Sequence, residues 1–189
     1  MNRTLDSILA LIGATLLVVP MVVVALLVKI TSKGPVFFRQ NRIGFNGREF
    51  QVLKFRSMKI GSDFRQAVKG DDRLTPIGGV LRRTSLDELP QLFNVLTGDM
   101  SLVGPRPHAT AQDEFYSSQI EGYSLRQNVR PGITGLAQVS GYRGETETLY
   151  KMKKRIDYDN QYIQDKSLWL DLKIIVQTFF VVLSMENAY

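Results

Sequence analysis

Residues 8 to 28 form an apolar run without a charged side chain, bounded by Arg3 and Asp6 on one side and by Lys29 and Lys33 on the other. A helix rising about 1.5 Å per residue is long enough over that run to cross a hydrocarbon layer of about 30 Å. A cleaved signal peptide fits less well, because the run is long for one and Val24-Ala25-Leu26-Leu27 offers no small-residue cleavage pattern. Pro20 lies past the midpoint and denies the carbonyl of Leu16 its usual donor, which predicts a kink. Neither arm then spans a bilayer alone. A bent hairpin that enters and leaves by one face and a Pro-kinked spanning helix both remain open on this pattern.

Beyond Gly34-Pro35 the pattern shortens to strands. Residues 36 to 40 and 49 to 55 predict a hairpin around Gly44-Phe45-Asn46-Gly47, where Asn-Gly is the turn signal. Residues 60 to 80 are rich in Gly, Asp and Pro and predict loop with one short helical turn. Helical spacing returns over 87 to 96, with Leu89, Leu92, Phe93 and Leu96 on one side and Gly98 as the stop. Residues 102 to 107 are too proline-rich for helix, 109 to 123 predict a helix, 130 to 135 a loop, and 145 to 165 a charged amphipathic helix. The last apolar stretch, 168 to 183, contains Asp171, Lys173 and Gln177 and has Trp169 near its start, which suits a helix lying in a membrane interface; a buried core helix is the competing reading. No internal repeat is present. The expected class is α/β, mostly α, as one catalytic unit divided into a membrane segment (1–33), a compact catalytic domain (34–166) and a carboxy-terminal interfacial helix (167–189).

Composition narrows the partners. Of 189 residues, 24 are Lys or Arg and 18 Asp or Glu, a net charge of +6 that favours anionic ligands. The absence of cysteine excludes a disulfide framework and a thiolate metal site.

The chemistry concentrates around Arg82-Arg83-Thr84-Ser85-Leu86-Asp87-Glu88-Leu89-Pro90. Ser85 and Glu88 fit a capping box, which would make the acidic pair an ordinary helix start. A helix start also turns free amides and a partial positive charge toward a phosphate. An ionised Asp87 there can attack a phosphoryl centre, while Glu88 beside it can hold Mg2+, with Mn2+ as a substitute. Arg82, Arg106, Arg130 and Arg143 supply guanidinium forks for phosphate, and Lys54 and Arg56 lie in a second basic segment. His108, the single histidine, is set aside as a structural or surface residue, and Asp157 and Asp159 sit in a charged helix whose default is a solvated face.

Four strings in order, Lys54-Phe55-Arg56-Ser57-Met58, Thr84 through Val95, Gly98 through Pro107, and Arg130 through Gly135, resemble the monotopic polyprenyl-phosphate phosphoglycosyl transferases, the bacterial sugar transferase family. The resemblance covers nearly the whole chain. It implies an enzyme at the cytoplasmic face of the bacterial inner membrane that takes a UDP-sugar, releases UMP and passes the sugar 1-phosphate to a polyprenyl phosphate such as undecaprenyl phosphate. It makes Asp87 the nucleophile and Glu88 a Mg2+ ligand, adds Lys54, Arg82, Arg106, Arg130 and Asp157 to the phosphate, nucleotide or metal site, ranks Asp157 above Asp159, and favours the re-entrant hairpin. Residues 140 to 149 resemble the colanic-acid-type members, which transfer glucose 1-phosphate; galactose and N-acetylated sugars are alternatives. Membrane lipid is an expected partner and a homodimer is compatible. Two departures are Val19, where members commonly have serine, and Lys166, where they have an aromatic residue. A metal-dependent phosphohydrolase built on the same aspartate is the competing enzyme class. A membrane-tethered nucleic-acid binder is disfavoured, since no basic recognition helix or aromatic-studded strand pair is present.

Overall fold

The structure is a computed structural model that describes residues 2–61, 70–144 and 148–184. The described residues are mostly helical, with two small two-stranded sheets among them. Helices α1 (Arg3–Leu16) and α2 (Val18–Thr31) meet at a bend of 61°. No single described helix is long and apolar enough to cross a membrane; only this bent pair has the length and composition.

The bend falls at Leu17, three residues before the proline that predicts it. Pro20 occupies the first turn of α2, where a missing N–H leaves no bond unmade, and the break in helical geometry is taken up at Leu17 (φ −96°, ψ 6°). The Thr15 hydroxyl donates to the Leu11 carbonyl beside it. The inner face of the pair, with Ala10, Met21, Val24 and Val28, is buried against the rest of the chain. Its outer face leaves Leu11, Leu16, Val19, Leu26 and Ile30 exposed.

Strands β1 (Phe37–Ile43) and β2 (Glu49–Phe55) form the expected antiparallel hairpin, with Phe37 opposite Phe55 and Ile43 opposite Glu49. The turn takes its left-handed residues at Asn46 (φ 53°) and Gly47 (φ 71°), as Asn-Gly favours. Helix α3 (Gly78–Arg83) and a 3-10 turn (Leu86–Glu88) lead into α4 (Gln91–Thr97). The structured helix after the acidic pair therefore starts later than its periodicity predicts. The loop expectation for 60 to 80 falls partly on residues 62–69, outside the described residues.

Strand β3 (Ser101–Val103) pairs in parallel with β4 (Gly132–Thr134), where a loop was expected. Both strands are three residues long and depend on a partner some thirty positions away, so neither shows local alternation. The pairing needs glycine: a Cβ on Gly132 would lie 2.1 Å from the Gly104 nitrogen, and one on Gly104 would lie 2.4 Å from the Arg130 carbonyl oxygen. Helix α5 (Thr110–Ser117) is shorter than expected and passes into a 3-10 segment (Tyr123–Asn128). Helix α6 (Leu149–Asp165) follows a π-type turn (Gln138–Tyr142), and α7 (Leu168–Ser184) ends the described chain.

One core joins α1, β2 and α4 through Ala10, Val52, Leu92, Val95 and Met100. A second joins α2, Phe55 and Leu81 to Leu86 and Leu89, which flank the acidic pair. Both ends of the helix pair are fastened to this body. Asp6 is buried and accepts from the Ser101 hydroxyl (2.7 Å) and the Leu102 amide (3.0 Å), while Arg56 donates to the carbonyls of Ser32 (2.8 Å) and Lys33 (2.6 Å) at the far end. Helix α7 uses its polar residues differently from expectation. Asp171 is fully buried and accepts from the Tyr162 hydroxyl at 2.7 Å, so it anchors the helix, leaving Lys173 and Gln177 with Trp169, Phe179 and Phe180 on the exposed side.

Candidate active site

Asp87 and Glu88 lie on the 3-10 turn between α3 and α4. Ser85 precedes them in left-handed geometry (φ 57°), with no capping bond from its side chain. The capping box is not formed, because the Glu88 carboxylate is taken elsewhere: it accepts from Lys54 Nζ at 2.7 Å and from both terminal nitrogens of Arg106, at 2.5 and 3.2 Å. The Ser85 hydroxyl instead accepts from Arg143.

Lys54 reaches Glu88 because β2 is locked to α4. The Asn94 side chain accepts from the Leu53 amide at 2.9 Å and donates to the Gln51 carbonyl at 2.8 Å, using the free edge of the hairpin. On the other side, the loop bearing Arg106 is fixed from below by Arg126, which donates to the Arg106 carbonyl, and by Arg42, which donates to the Pro107 carbonyl at 2.8 Å.

Two neighbouring carboxylates thus have opposite environments. Asp87 is only 5% exposed, and burial pushes its carboxyl up to about 6; Lys54 opposes that shift, Glu88 adds to it, and Arg82 and Arg106 oppose it further. Burial acts on Glu88 in the same sense, yet the charges and hydrogen bonds of Arg106 and Lys54 prevail and hold it well below the usual carboxylate range. Lys54 is itself pushed down by burial, against the pull of Glu88. Glu88 is a fixed anion, while Asp87, raised to about 6, is mostly ionised at neutral pH and loses its charge just below it. Such a separation is what a reacting group and its electrostatic support require.

The remaining basic residues divide. Arg143 lies beside the pair through Ser85, and Arg82 acts on Asp87 electrostatically. Arg56 is spent on the end of α2, as described above. Arg130 donates to the Gly98 carbonyl at 3.0 Å and stacks over Phe45 at 5.4 Å. Asp157 is exposed on α6 and faces Lys154 at 3.8 Å. Asp159, ranked below it from the sequence, is the buried one. It lies 3.1 Å from Arg126 and is pushed up to about 6 by burial, with Arg126 and Arg155 opposing. His108, set aside from the sequence, belongs to the same network: its Nδ1 meets the Tyr123 hydroxyl (2.6 Å) and Arg126 (2.5 Å), and Tyr123 donates to Asp113 (3.1 Å). Burial, with the surrounding arginines adding to it, lowers the His108 pKa well below normal, which favours the neutral ring. None of these buried partners is signalled locally, since each depends on packing between distant segments.

Among the described residues no three His, Cys, Asp or Glu side chains converge to hold a metal. A closed protein cage is therefore not offered. Both bonds from Lys54 Nζ and Arg106 Nη2 fall on Glu88 Oε1, whereas Oε2 accepts one, from Arg106 Nη1, and so keeps a lone pair that could face Mg2+, which commonly takes one or two carboxylates and completes its shell with substrate phosphates and water.

The sequence model of the bacterial sugar transferase family matches residues 1–185. The chain is 52% identical over 191 residues to the UDP-glucose:undecaprenyl-phosphate glucose-1-phosphate transferase of Caulobacter vibrioides, covering 100% of this chain and 72% of that protein. It is 50% identical over 192 residues to the Escherichia coli protein of the same name, covering 100% and 41%. Identity is 42% over 193 residues, covering 99% and 44%, to the UDP-N-acetylgalactosamine-undecaprenyl-phosphate N-acetylgalactosaminephosphotransferase of Aeromonas hydrophila. The chain thus spans most of the first relative and less than half of the other two.

Proposed function

Since the chain belongs to the bacterial sugar transferase family, we propose that it transfers glucose 1-phosphate from UDP-glucose to undecaprenyl phosphate and releases UMP. The observation that carries this reading is the buried Asp87 beside a Glu88 clamped by Lys54 and Arg106. The names of the relatives at 50% identity and above point to glucose as the sugar.

In the first step an ionised Asp87 oxygen attacks the phosphorus that bears glucose. A carboxylate–phosphorus bond forms, the bond from that phosphorus to the bridging oxygen breaks, and UMP leaves with that oxygen. In the second, a phosphate oxygen of undecaprenyl phosphate attacks the same phosphorus and displaces Asp87, giving the lipid-linked diphosphate sugar. No proton need be gained or lost at Asp87 in either step, since the carboxylate attacks and leaves as the anion. Arg106 and Lys54 hold Glu88 in place and leave positive potential facing a pyrophosphate, with Arg82 acting on Asp87 beside them. Glu88, with Asp87 beside it, would hold Mg2+, and a bound Mg2+ supplies charge neutralisation of the pyrophosphate.

We further place the site at the cytoplasmic face of the inner membrane, with α1 and α2 as a re-entrant pair. A spanning segment would put its ends on opposite sides of a layer about 30 Å thick. Here one end is bonded through Asp6 to β3 and the other through Ser32 and Lys33 to Arg56 of the same body. The exposed apolar faces of the pair and of α7 then lie in lipid.

The test is product analysis with the purified chain in lipid nanodiscs. UDP-glucose with undecaprenyl phosphate and Mg2+ should yield UMP and a lipid-linked diphosphate glucose in equal amounts. Free glucose 1-phosphate formed without lipid acceptor would make the protein a phosphohydrolase instead.

A further inference from the structure

A groove of about 260 Å³ opens between the bend of the helix pair, β4 and the second half of α7. Its wall is apolar along most of its length, with Leu17 at the bend, Ile133 on β4, Val139 on the π-type turn and Val182 on α7. At one end it reaches Ser85, Glu88 and Arg143, the flank of the acidic pair. It therefore runs from half-buried residues of α7, next to the exposed Phe179 and Leu183, to the flank of the site where Asp87 would carry the sugar phosphate.

A nucleotide sugar is polar along its whole length and has nothing to match such a wall. An amphiphile with a phosphate at one end and a hydrocarbon chain at the other matches it at both ends. The volume is below the ~300–1,000 Å³ of cavities that enclose a whole drug-sized ligand, so it admits only the head end of a long chain. Resting on the transfer reaction proposed above, the geometry points to this groove as the seat of the acceptor: the first isoprene units of a polyprenyl phosphate lie along Leu17, Ile133, Val139 and Val182, and the phosphate meets Arg143 next to Glu88. The remainder of the chain stays in the bilayer beside α7. A guanidinium at the polar end orients the acceptor phosphate toward the phosphorus held on Asp87, which makes Arg143 a reader of acceptor rather than of donor.

The two half-reactions separate this proposal from the function it rests on. Val182→Trp and Val139→Trp fill the groove from two sides, while Val176→Trp adds the same bulk on an exposed face of α7. Each groove variant should raise the KM for undecaprenyl phosphate about 4- to 15-fold, the effect of denying burial to one or two methylene-sized groups. Sugar retained on the protein from radiolabelled UDP-glucose without acceptor should persist, and Val176→Trp should leave the acceptor KM as it was. An unchanged acceptor KM in folded groove variants, or loss of charging in step with loss of transfer, overturns the assignment. If the unaltered protein never retains sugar, the covalent reaction fails and not the groove.

Photocrosslinking of the unaltered protein with a polyprenyl phosphate bearing a diazirine on its first isoprene unit is independent of folding defects. Label should land within residues 133–139 or 178–182. Label confined to the outer face of α1 and α2, or displaced completely by excess phosphatidylglycerol, means general lipid contact and rejects the groove.

Discussion

Replacing Lys54 by methionine tests how the charge of Asp87 is set. Lys54 lies 2.7 Å from Glu88 and is the foremost group opposing the burial that pushes Asp87 up to about 6. Methionine keeps the apolar stem and removes the ammonium, while Glu88 retains both bonds from Arg106. An opposite charge close to a carboxyl is worth about 1–3 pKa units, and the lower end applies because Arg82 and Arg106 still act on Asp87. A rise of about one unit corresponds to ~1.4 kcal/mol. Since the nucleophile must be ionised, the acid limb of kcat/KM for UMP release should move from about 6 to about 7. The assay is UMP release at limiting UDP-glucose across the neutral range, with thermal unfolding to confirm the fold. The variant should lose far more activity, relative to the parent, on the acid side than at alkaline pH. An acid limb that stays in place or moves downward in a folded variant would refute the electrostatic account.

Three further outcomes follow from the packing. Asp6→Ala removes the acceptor of two hydrogen bonds to β3, one buried and one part-buried, each worth about 0.5–1.5 kcal/mol or more, and should lower thermal stability and make the bend sensitive to protease. Gly132→Ala forces a Cβ against backbone that cannot yield and should cost about 1–3 kcal/mol or more, whereas Gly79→Ala, in α3 with only Leu74 within contact, should stabilise by about 0.5–1 kcal/mol; denaturant unfolding distinguishes the two. Arg126→Met strips a buried carboxylate of a partner and should cost about 3–5 kcal/mol, with Asp159→Asn in the same chain recovering part of the loss in the same unfolding experiment.

What the sequence reveals follows the range of each signal. The hairpin was legible because Asn46-Gly47 dictates a turn on its own, and the apolar run because length and composition are local properties. The acidic pair stands out in the sequence as a candidate site, but its setting does not. Ser85 and Glu88 spell a capping box, yet Lys54 and Arg106 offer Glu88 two cations, which outweigh the single backbone amide such a box supplies. The same limit hid the parallel β3–β4 pair and the buried roles of Asp6, Asp159 and Asp171, each set by a partner remote in sequence or in the fold. Basic residues read alike in one dimension; the structure assigns Arg56 to a helix end and Arg126 to the support of the Arg106 loop.

The central claim is that Asp87 carries the sugar phosphate between donor and acceptor. Intact-protein mass spectrometry after incubation with UDP-glucose and Mg2+, without lipid acceptor, tests it most directly. The account requires an added mass of one hexose phosphate on the parent chain, mapped by peptide sequencing to Asp87, discharged on addition of undecaprenyl phosphate and absent from Asp87→Asn. An Asp87→Asn chain that turns over at the parental rate, or an adduct that maps to another residue, would contradict it.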